Sequence, residues 1–401
     1  MLRTRTLVNL AALGATGALV LSACSNSSTS TGGGLGAGAT GGGAAGGSTY
    51  TVAFQGPLSG DNQQLGINEV NGVELAIEQA NASGNLGFTL KLLKADDGGD
   101  ASKAPAAAAQ VLQDATVMGV VGPSFSGTSK AVGQDYGNAQ LAIVNPSASN
   151  GTLQTLGFKT WHRIVPNDFA EGPAMADWLA KKSQKVFVLN DLSDYGAGVA
   201  GAVEKELKTK GIAVVTAGVD AKTTDYGATA QTIKQSGATA LFYGGYDAQA
   251  ALLAKALTAV DYTGLRSAGN GVKSSVFTSG AGASGNGWYF SCGCQDATVA
   301  PDSKAFTAAY QTKFNTPPST YSPEAFDAAN LLIDAIKAAK AAGTVDRASV
   351  NAQVTKADFT GITGTIKFGA NGDLPAGVGT VNLFQQKDGK IVSLGDVGSA
   401  S

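Results

Sequence analysis

The chain has 401 residues, 28 Lys and Arg against 30 Asp and Glu, a formal net charge of −2 and only 14% charged residues. That length allows two domains with cores of their own. With no basic patch and no interleaving of aromatic and basic residues, the composition argues against a nucleic-acid-binding surface.

The N-terminus reads as a targeting segment. Arg3 and Arg5 precede an apolar run from Leu7 to Leu21 that is short and Gly/Ala-rich for a membrane span. It ends in Leu21-Ser-Ala-Cys24, which resembles a bacterial lipobox, so residues 1–23 are expected to be a lipoprotein signal peptide and Cys24 a lipid anchor. Residues 24–48 are almost entirely Ser, Thr, Gly and Ala. Such a segment cannot bury a core and reads as a flexible tether.

From Tyr50 onward apolar strands alternate with helices. Tyr50–Gly56 reads as a strand, followed by the turn Pro57-Leu-Ser-Gly60 and a helix carrying Val70, Val73 and Ile77. A second strand spans Phe88–Lys94, and an Ala-rich helix follows the loop at Asp96-Asp97. The run Val117–Val121 reads as a buried strand. It stops at Gly122-Pro123 and passes through Ser124, Ser126, Thr128 and Ser129 into a helix. Strand, small-residue turn and helix N-terminus together form an anion cradle, because free N–H groups and the helix dipole favour negative charge there. The alternative role for Ser126 is an N-cap. The strand Leu141–Val144 ends in a similar turn, Asn145-Pro-Ser-Ala-Ser149.

Pro166 breaks a strand at Trp161–Val165, and a second series begins. Its helices are expected at about 169–182, 195–209, 225–235 and 246–259, with strands at 185–190, 212–217, 238–243 and 265–268. Two of these strands end in turns carrying a Tyr and an Asp, at Asp194-Tyr195 and Tyr246-Asp247. Helices are expected again at about 301–314, 323–341 and 346–356. The tail then alternates as strands at 364–369, 381–386 and 391–394. Alternating strands and helices imply parallel sheets covered on both faces, with ligands beyond the carboxyl ends of the strands. The single histidine, His162, lies inside a strand, which favours a structural role. Cys292 and Cys294 stand two apart; disulfide, free thiols and metal are all open, although a zinc site would need two more ligands.

In order and spacing, Gly56-Pro-Leu-Ser-Gly60, Asp96-Asp97, Val121-Gly-Pro-Ser, Asn145-Pro-Ser-Ala, Asp194-Tyr-Gly196, Tyr243-Gly-Gly-Tyr246 and Gly364-x-Ile-x-Phe368 resemble the type I solute-binding proteins of bacterial ABC importers, near the leucine/isoleucine/valine-binding branch. The resemblance implies an α/β fold of two Rossmann-like lobes joined by three crossovers. Lobe one would be 49–165 plus 291–364 and lobe two 166–290 plus 365–401. It implies a ligand carboxylate held at Ser126, at the backbone near Ser147 and Ala148, and at Ser149. Tyr195 would close from the second lobe, Tyr246 would lie near the ligand ammonium and Tyr321 over its side chain. The position where amino-acid binders carry an acid is Asn270 here, and an aromatic position of the first lobe is Leu65. Asp247 or Asp194 could supply the missing charge; otherwise the ligand would be a carboxylate without an amine, an amide or another small polar molecule.

The function expected is therefore capture of a small polar solute, a branched-chain amino acid or a related carboxylate or amide, by a monomeric lipoprotein outside the cytoplasmic membrane. Delivery would be to the permease and ATPase of an ABC importer, with no cofactor and no catalysis. A lipoprotein that signals to a membrane receptor is the alternative. An exported enzyme fits less well, since no nucleophile–base motif stands out.

Overall fold

The computed structural model describes residues 47–400. The expected signal peptide, Cys24 and nearly all of the tether lie outside the described residues.

The first lobe is built on a parallel sheet of β1 (Thr49–Gly56), β2 (Thr89–Asp96), β3 (Val117–Val121), β4 (Ala142–Asn145) and β5 (Trp161–Arg163), in the order β2-β1-β3-β4-β5. The central strand β3 (Val-Met-Gly-Val-Val) is buried throughout, as strands covered on both faces are. Alternate residues serve opposite faces. Val120 and Ile143 pack with α2 (Ala104–Gln113) and α3 (Ser126–Asn138). Val52, Phe54, Val121 and Val144 pack in another core with Val70, Val73 and Ile77 of α1 (Gln63–Ala82).

The second lobe begins with α4 (Asp168–Ala180) and runs β6 (Lys185–Asn190), α5 (Asp194–Thr209), β7 (Ala213–Gly218), α6 (Gly227–Gln235), β8 (Ala240–Gly244), α7 (Asp247–Ala259), β9 (Leu265–Ala268), α8 (Ser275–Ala281) and β10 (Trp288–Cys292). The chain then crosses back. α9 (Lys304–Phe314) and α10 (Ser322–Ala341) pack on α1, and α11 (Arg347–Thr355) lies against α10, β3 and β4. In α10 the buried Ala325, Ala328, Ala329, Leu332 and Ile336 recur at three and four residues, which is the spacing of one helix face. After the ribbon of β11 (Asp358–Gly361) and β12 (Gly364–Lys367), β13 (Asn382–Lys387) and β14 (Lys390–Asp396) complete a seven-stranded sheet in the order β14-β13-β10-β9-β8-β6-β7.

Three features depart from the sequence expectations. The strand expected at 364–369 belongs to neither large sheet; β12 pairs only with β11, and the buried Asp327 of α10 accepts from the backbone N–H groups of Ile362 and Thr363 to hold that ribbon's turn. α8 was not among the expected helices. Ser274 caps it through the N–H groups of Val276 and Phe277, and the buried Phe277 anchors it. β10 carries the second sheet to Cys292, and Cys292 is joined to Cys294 by a disulfide. No helix among the described residues is long and apolar enough to cross a membrane.

Both sheets direct the carboxyl ends of their parallel strands at one region. Ser124–Ser126 follows β3, Ser147–Ala148 follows β4, Tyr195 follows β6, Tyr246 follows β8 and Asn270 follows β9. In each sheet the order reverses beside the first strand of the series, which is where α/β sheets leave a crevice.

Candidate functional site

A small cavity lies where the lobes meet, with Leu65, Glu69, Ser124, Phe125, Ser126, Ser147, Ala148 and Tyr321 contributed by the first lobe and Tyr195, Tyr246, Asn270 and Gly271 by the second.

The N-terminus of α3 forms one wall. Its N-cap position is held by Phe125, which has no capping side chain, and Ser126 is the first helical residue. Ser126 is therefore not the N-cap. Its Oγ accepts from Asn150 N at 3.2 Å, which leaves the hydroxyl proton to donate. The first N–H groups of any helix lack intrahelical partners, and here no side chain caps them. Uncapped donors and the helix dipole make this wall an anion cradle.

The turn after β4 is arranged differently from the expectation. Ser147 and Ala148 line the cavity, but both of their N–H groups donate to Asn145 Oδ1, at 3.0 and 2.7 Å. The Ser147 hydroxyl donates to Ser124 O at 2.9 Å. These groups are committed to the turn, so the donors facing a carboxylate come from α3. Ser149 does not line the cavity. Its Oγ accepts from Asn270 Nδ2 at 3.3 Å, linking the two lobes.

Behind this turn Arg163 is fully buried. Its Nη1 donates to the carbonyls of Ala148 and Asn150 at 2.8 and 2.9 Å, and its Nη2 pairs with Asp373 Oδ2 at 2.5 Å. Asp373 also accepts from Asn167 and Trp161. The sequence offered Arg163 only as a strand residue, yet it fixes the loop that forms the cradle's floor. Its neighbour His162 bonds to Ile143 O and Thr355 Oγ1, and burial lowers its pKa to about 4, which fits a structural role.

The second lobe supplies an aromatic roof. Tyr246 stacks on Phe125 with centroids 4.3 Å apart, and Tyr195 lies 5.2 Å from Tyr246. The Tyr195 hydroxyl accepts from Gly271 N at 2.9 Å and keeps its proton to donate. The glycines on either side of Asn270 make room for this ring: a Cβ on Gly269 would lie 2.5 Å from Tyr195 Oη, and one on Gly271 would lie 2.7 Å from Tyr195 Cε1. Tyr321, at the N-cap of α10, lines the cavity and takes a left-handed conformation (φ 65°) that is uncommon for a non-glycine residue.

Asn270 does not stand alone. Its Nδ2 and its backbone N both donate to the buried carboxylate of Glu171 in α4, which also accepts from Ser291 at 2.8 Å. Desolvation pushes Glu171 up to about 7, moderated by these donors. Neither acid proposed as a substitute charge lines the cavity. Asp247 accepts from Asn62 and Ser274, and Asp194 pairs with Lys130 at the rim. Ser193 caps α5, and the N-cap position of α7 is Tyr246. The acid on the cavity wall is Glu69, one helical turn beyond Leu65, and sequence reading did not single it out.

Further contacts hold the lobes together around the cavity. Asn62 Nδ2 donates to Asp247 at 2.6 Å, and Asn150 Nδ2 donates to Asp194 O at 2.5 Å. Among the described residues no cluster of His, Cys, Asp and Glu could hold a metal ion.

Two α/β lobes meeting over one small cavity define a solute clamp. A family model described as periplasmic binding protein matches residues 49–390, and the chain belongs to that family, whose members bind solutes outside the cytoplasm and are not enzymes. A Brucella melitensis protein named Leu/Ile/Val-binding protein homolog 3 is 29% identical over 354 residues, 86% of this chain and 93% of the relative. A Pseudomonas aeruginosa leucine-, isoleucine-, valine-, threonine- and alanine-binding protein is 28% identical, covering 81% and 87%. Among solved structures, a leucine-binding protein of Thermotoga maritima superposes with a TM-score of 0.79 at 23% identity, covering 86% of this chain and 97% of that one. A solute-binding protein of R. palustris in complex with benzoate gives 0.77 at 20% identity, covering 88% and 97%. These structural likenesses bear on the fold, which is that of a type I periplasmic binding protein.

Proposed function

We propose that this protein captures a small α-amino acid of the branched-chain class, or a closely related carboxylate, between its lobes and delivers it to the permease and ATPase of an ABC importer, while lipid on Cys24 keeps it at the membrane. The observation that carries this reading is the uncapped N-terminus of α3 on the wall of the cavity between the lobes, with the Ser126 hydroxyl beside it. The names of the relatives support the amino-acid class, and the benzoate complex supports a carboxylate as the shared feature. Capture works by differential affinity. A solute that touches α3 and Tyr195 together stabilises the closed arrangement, and only that stabilisation can shift the lobes toward closure.

A thermal-shift screen over L-leucine, L-isoleucine, L-valine, L-threonine, L-alanine and benzoate tests the reading. A ligand at a hundred times its Kd adds about 2.7 kcal/mol to stability and raises the melting temperature measurably. No shift with any of the six would refute it. For the anchor, Cys24→Ala is expected to move the protein from the membrane fraction to the soluble one; unchanged membrane association would refute that part.

A further inference from the structure

Building on that reading, we propose that Glu69 supplies the negative charge that receives the ligand's α-ammonium group, the role that Asn270 cannot fill, so that the preferred ligand is a zwitterionic amino acid whose two charges are both read by the first lobe.

Three buried carboxylates in the described residues have oxygens without a hydrogen-bond partner: Glu69 Oε1, Glu324 Oε2, and both oxygens of Asp168. Of these only Glu69 lies on the wall of the cavity between the lobes. Glu171, behind Asn270, does not line the cavity, and its oxygens accept from Asn270 and Ser291. Glu69 is 1% exposed. Its Oε2 accepts from Ser124 Oγ at 2.8 Å, which fixes the carboxylate while Oε1 stays open. A buried carboxylate oxygen left unpaired is costly, and a cationic donor is the partner that relieves it best.

Position along the chain supports the α-ammonium in particular. Ser124, which holds Glu69, stands two residues before Ser126, where α3 presents its uncapped N–H groups. An acid hydrogen-bonded to the turn that opens the anion cradle matches a ligand that carries ammonium and carboxylate on one carbon.

The groups facing Glu69 agree with this assignment. Burial raises its pKa to about 8; the Ser124 hydroxyl opposes the shift, and Glu324 of α10 and Asp97 beyond β2 add to it by like charge. At neutral pH the carboxyl is then largely protonated, and an incoming ammonium that favours the charged form must displace that proton.

Calorimetry with two pairs of probes tests the proposal: L-leucine against 4-methylpentanoate and L-valine against 3-methylbutanoate. Wild-type protein is expected to bind the amino acid of each pair at least about 30-fold more tightly than its desamino analogue, the lower end for a buried charge pair. Glu69→Gln is expected to erase most of that preference while changing affinity for the desamino acids by less than about threefold. L-leucine binding to wild type at pH 7 should also release close to one proton, read as an enthalpy difference between phosphate and Tris buffers, and 4-methylpentanoate should release none. This readout needs no variant and so survives a folding failure of Glu69→Gln. Equal affinities within a pair, unchanged L-leucine binding in Glu69→Gln, or no proton release would overturn the assignment and leave the transport reading intact. Failure of all four probes to bind wild type would overturn both.

Discussion

Asn270 Nδ2 donates to Glu171 Oε2 at 2.7 Å, so the amide at the cavity's second-lobe wall is the partner of a buried acid and not a replacement for one. Restoring an acid there should therefore harm the protein. Asn270→Asp would bring two carboxylates together in a desolvated place, where like charges raise pKa and cost stability. The variant should melt below wild type, with a deficit larger at pH 8 than at pH 5.5, and should not gain affinity for L-leucine. Scanning calorimetry at the two pH values checks this; an equal deficit at both would contradict it.

Buried acids set the pH dependence of the whole fold. Desolvation raises Glu69 and Asp168 to about 8 and Glu171 and Glu324 to about 7. A folded-state pKa above the unfolded value of about 4 means that the native state binds more protons, so ∂ΔG/∂pH is negative. Their stabilising contribution is complete below about pH 4 and is lost as pH rises through 7 to 8. His162 runs the other way, since its pKa falls from 6.5 to about 4, and its effect is finished above pH 6.5. The melting temperature should therefore fall between pH 6.5 and pH 8.5, and less steeply in Glu69→Gln. A rise over that interval would contradict the account.

The Arg163–Asp373 pair tests the cradle's floor. Removing one member of a buried, hydrogen-bonded ion pair costs about 3–5 kcal/mol. Asp373→Asn should lose about that much in urea unfolding. It should also weaken ligand binding, because Arg163 holds the carbonyls of Ala148 and Asn150. The double change Arg163→Met with Asp373→Leu should be less unstable than Asp373→Asn alone, since no lone charge stays buried. Stability of Asp373→Asn within 1 kcal/mol of wild type would sink this prediction.

Gly271→Ala probes the aromatic roof. The new methyl carbon would lie 2.7 Å from Tyr195 Cε1 and 2.8 Å from Gly245 O, and the second of these is backbone that cannot step aside. Displacing Tyr195 should reduce L-leucine affinity by at least about tenfold, roughly 1.4 kcal/mol. Unchanged affinity would mean that Tyr195 makes no contact with the ligand.

Much of this arrangement was legible in the sequence because strand and turn chemistry are local. The run Val117–Val121 closed by Gly122-Pro123 and the paired Tyr turns marked the strand ends, and the residues after them meet in one cavity. Side-chain commitments were less legible. Asn145 stands two residues before Ser147, the spacing at which an Asn side chain accepts from its own backbone, and that signal could have shown that the N–H groups of Ser147 and Ala148 were taken. Glu69 gave a weaker sign, since it lies four residues after Leu65 and so on the same helix face. Nothing local in Trp161-His-Arg163 reveals that the arginine reaches a partner 210 residues away, because that contact depends on the tail returning to the first lobe.

Calorimetric titration of the purified protein with L-leucine, before and after Ser126→Ala, tests the central claim most directly. A small carboxylate ligand held at the N-terminus of α3 predicts saturable one-to-one binding that Ser126→Ala weakens by roughly tenfold, the loss of one hydrogen bond to a charged group. Binding that is equally tight in the variant would contradict the cradle, and no saturable binding to the wild type would contradict capture of L-leucine itself.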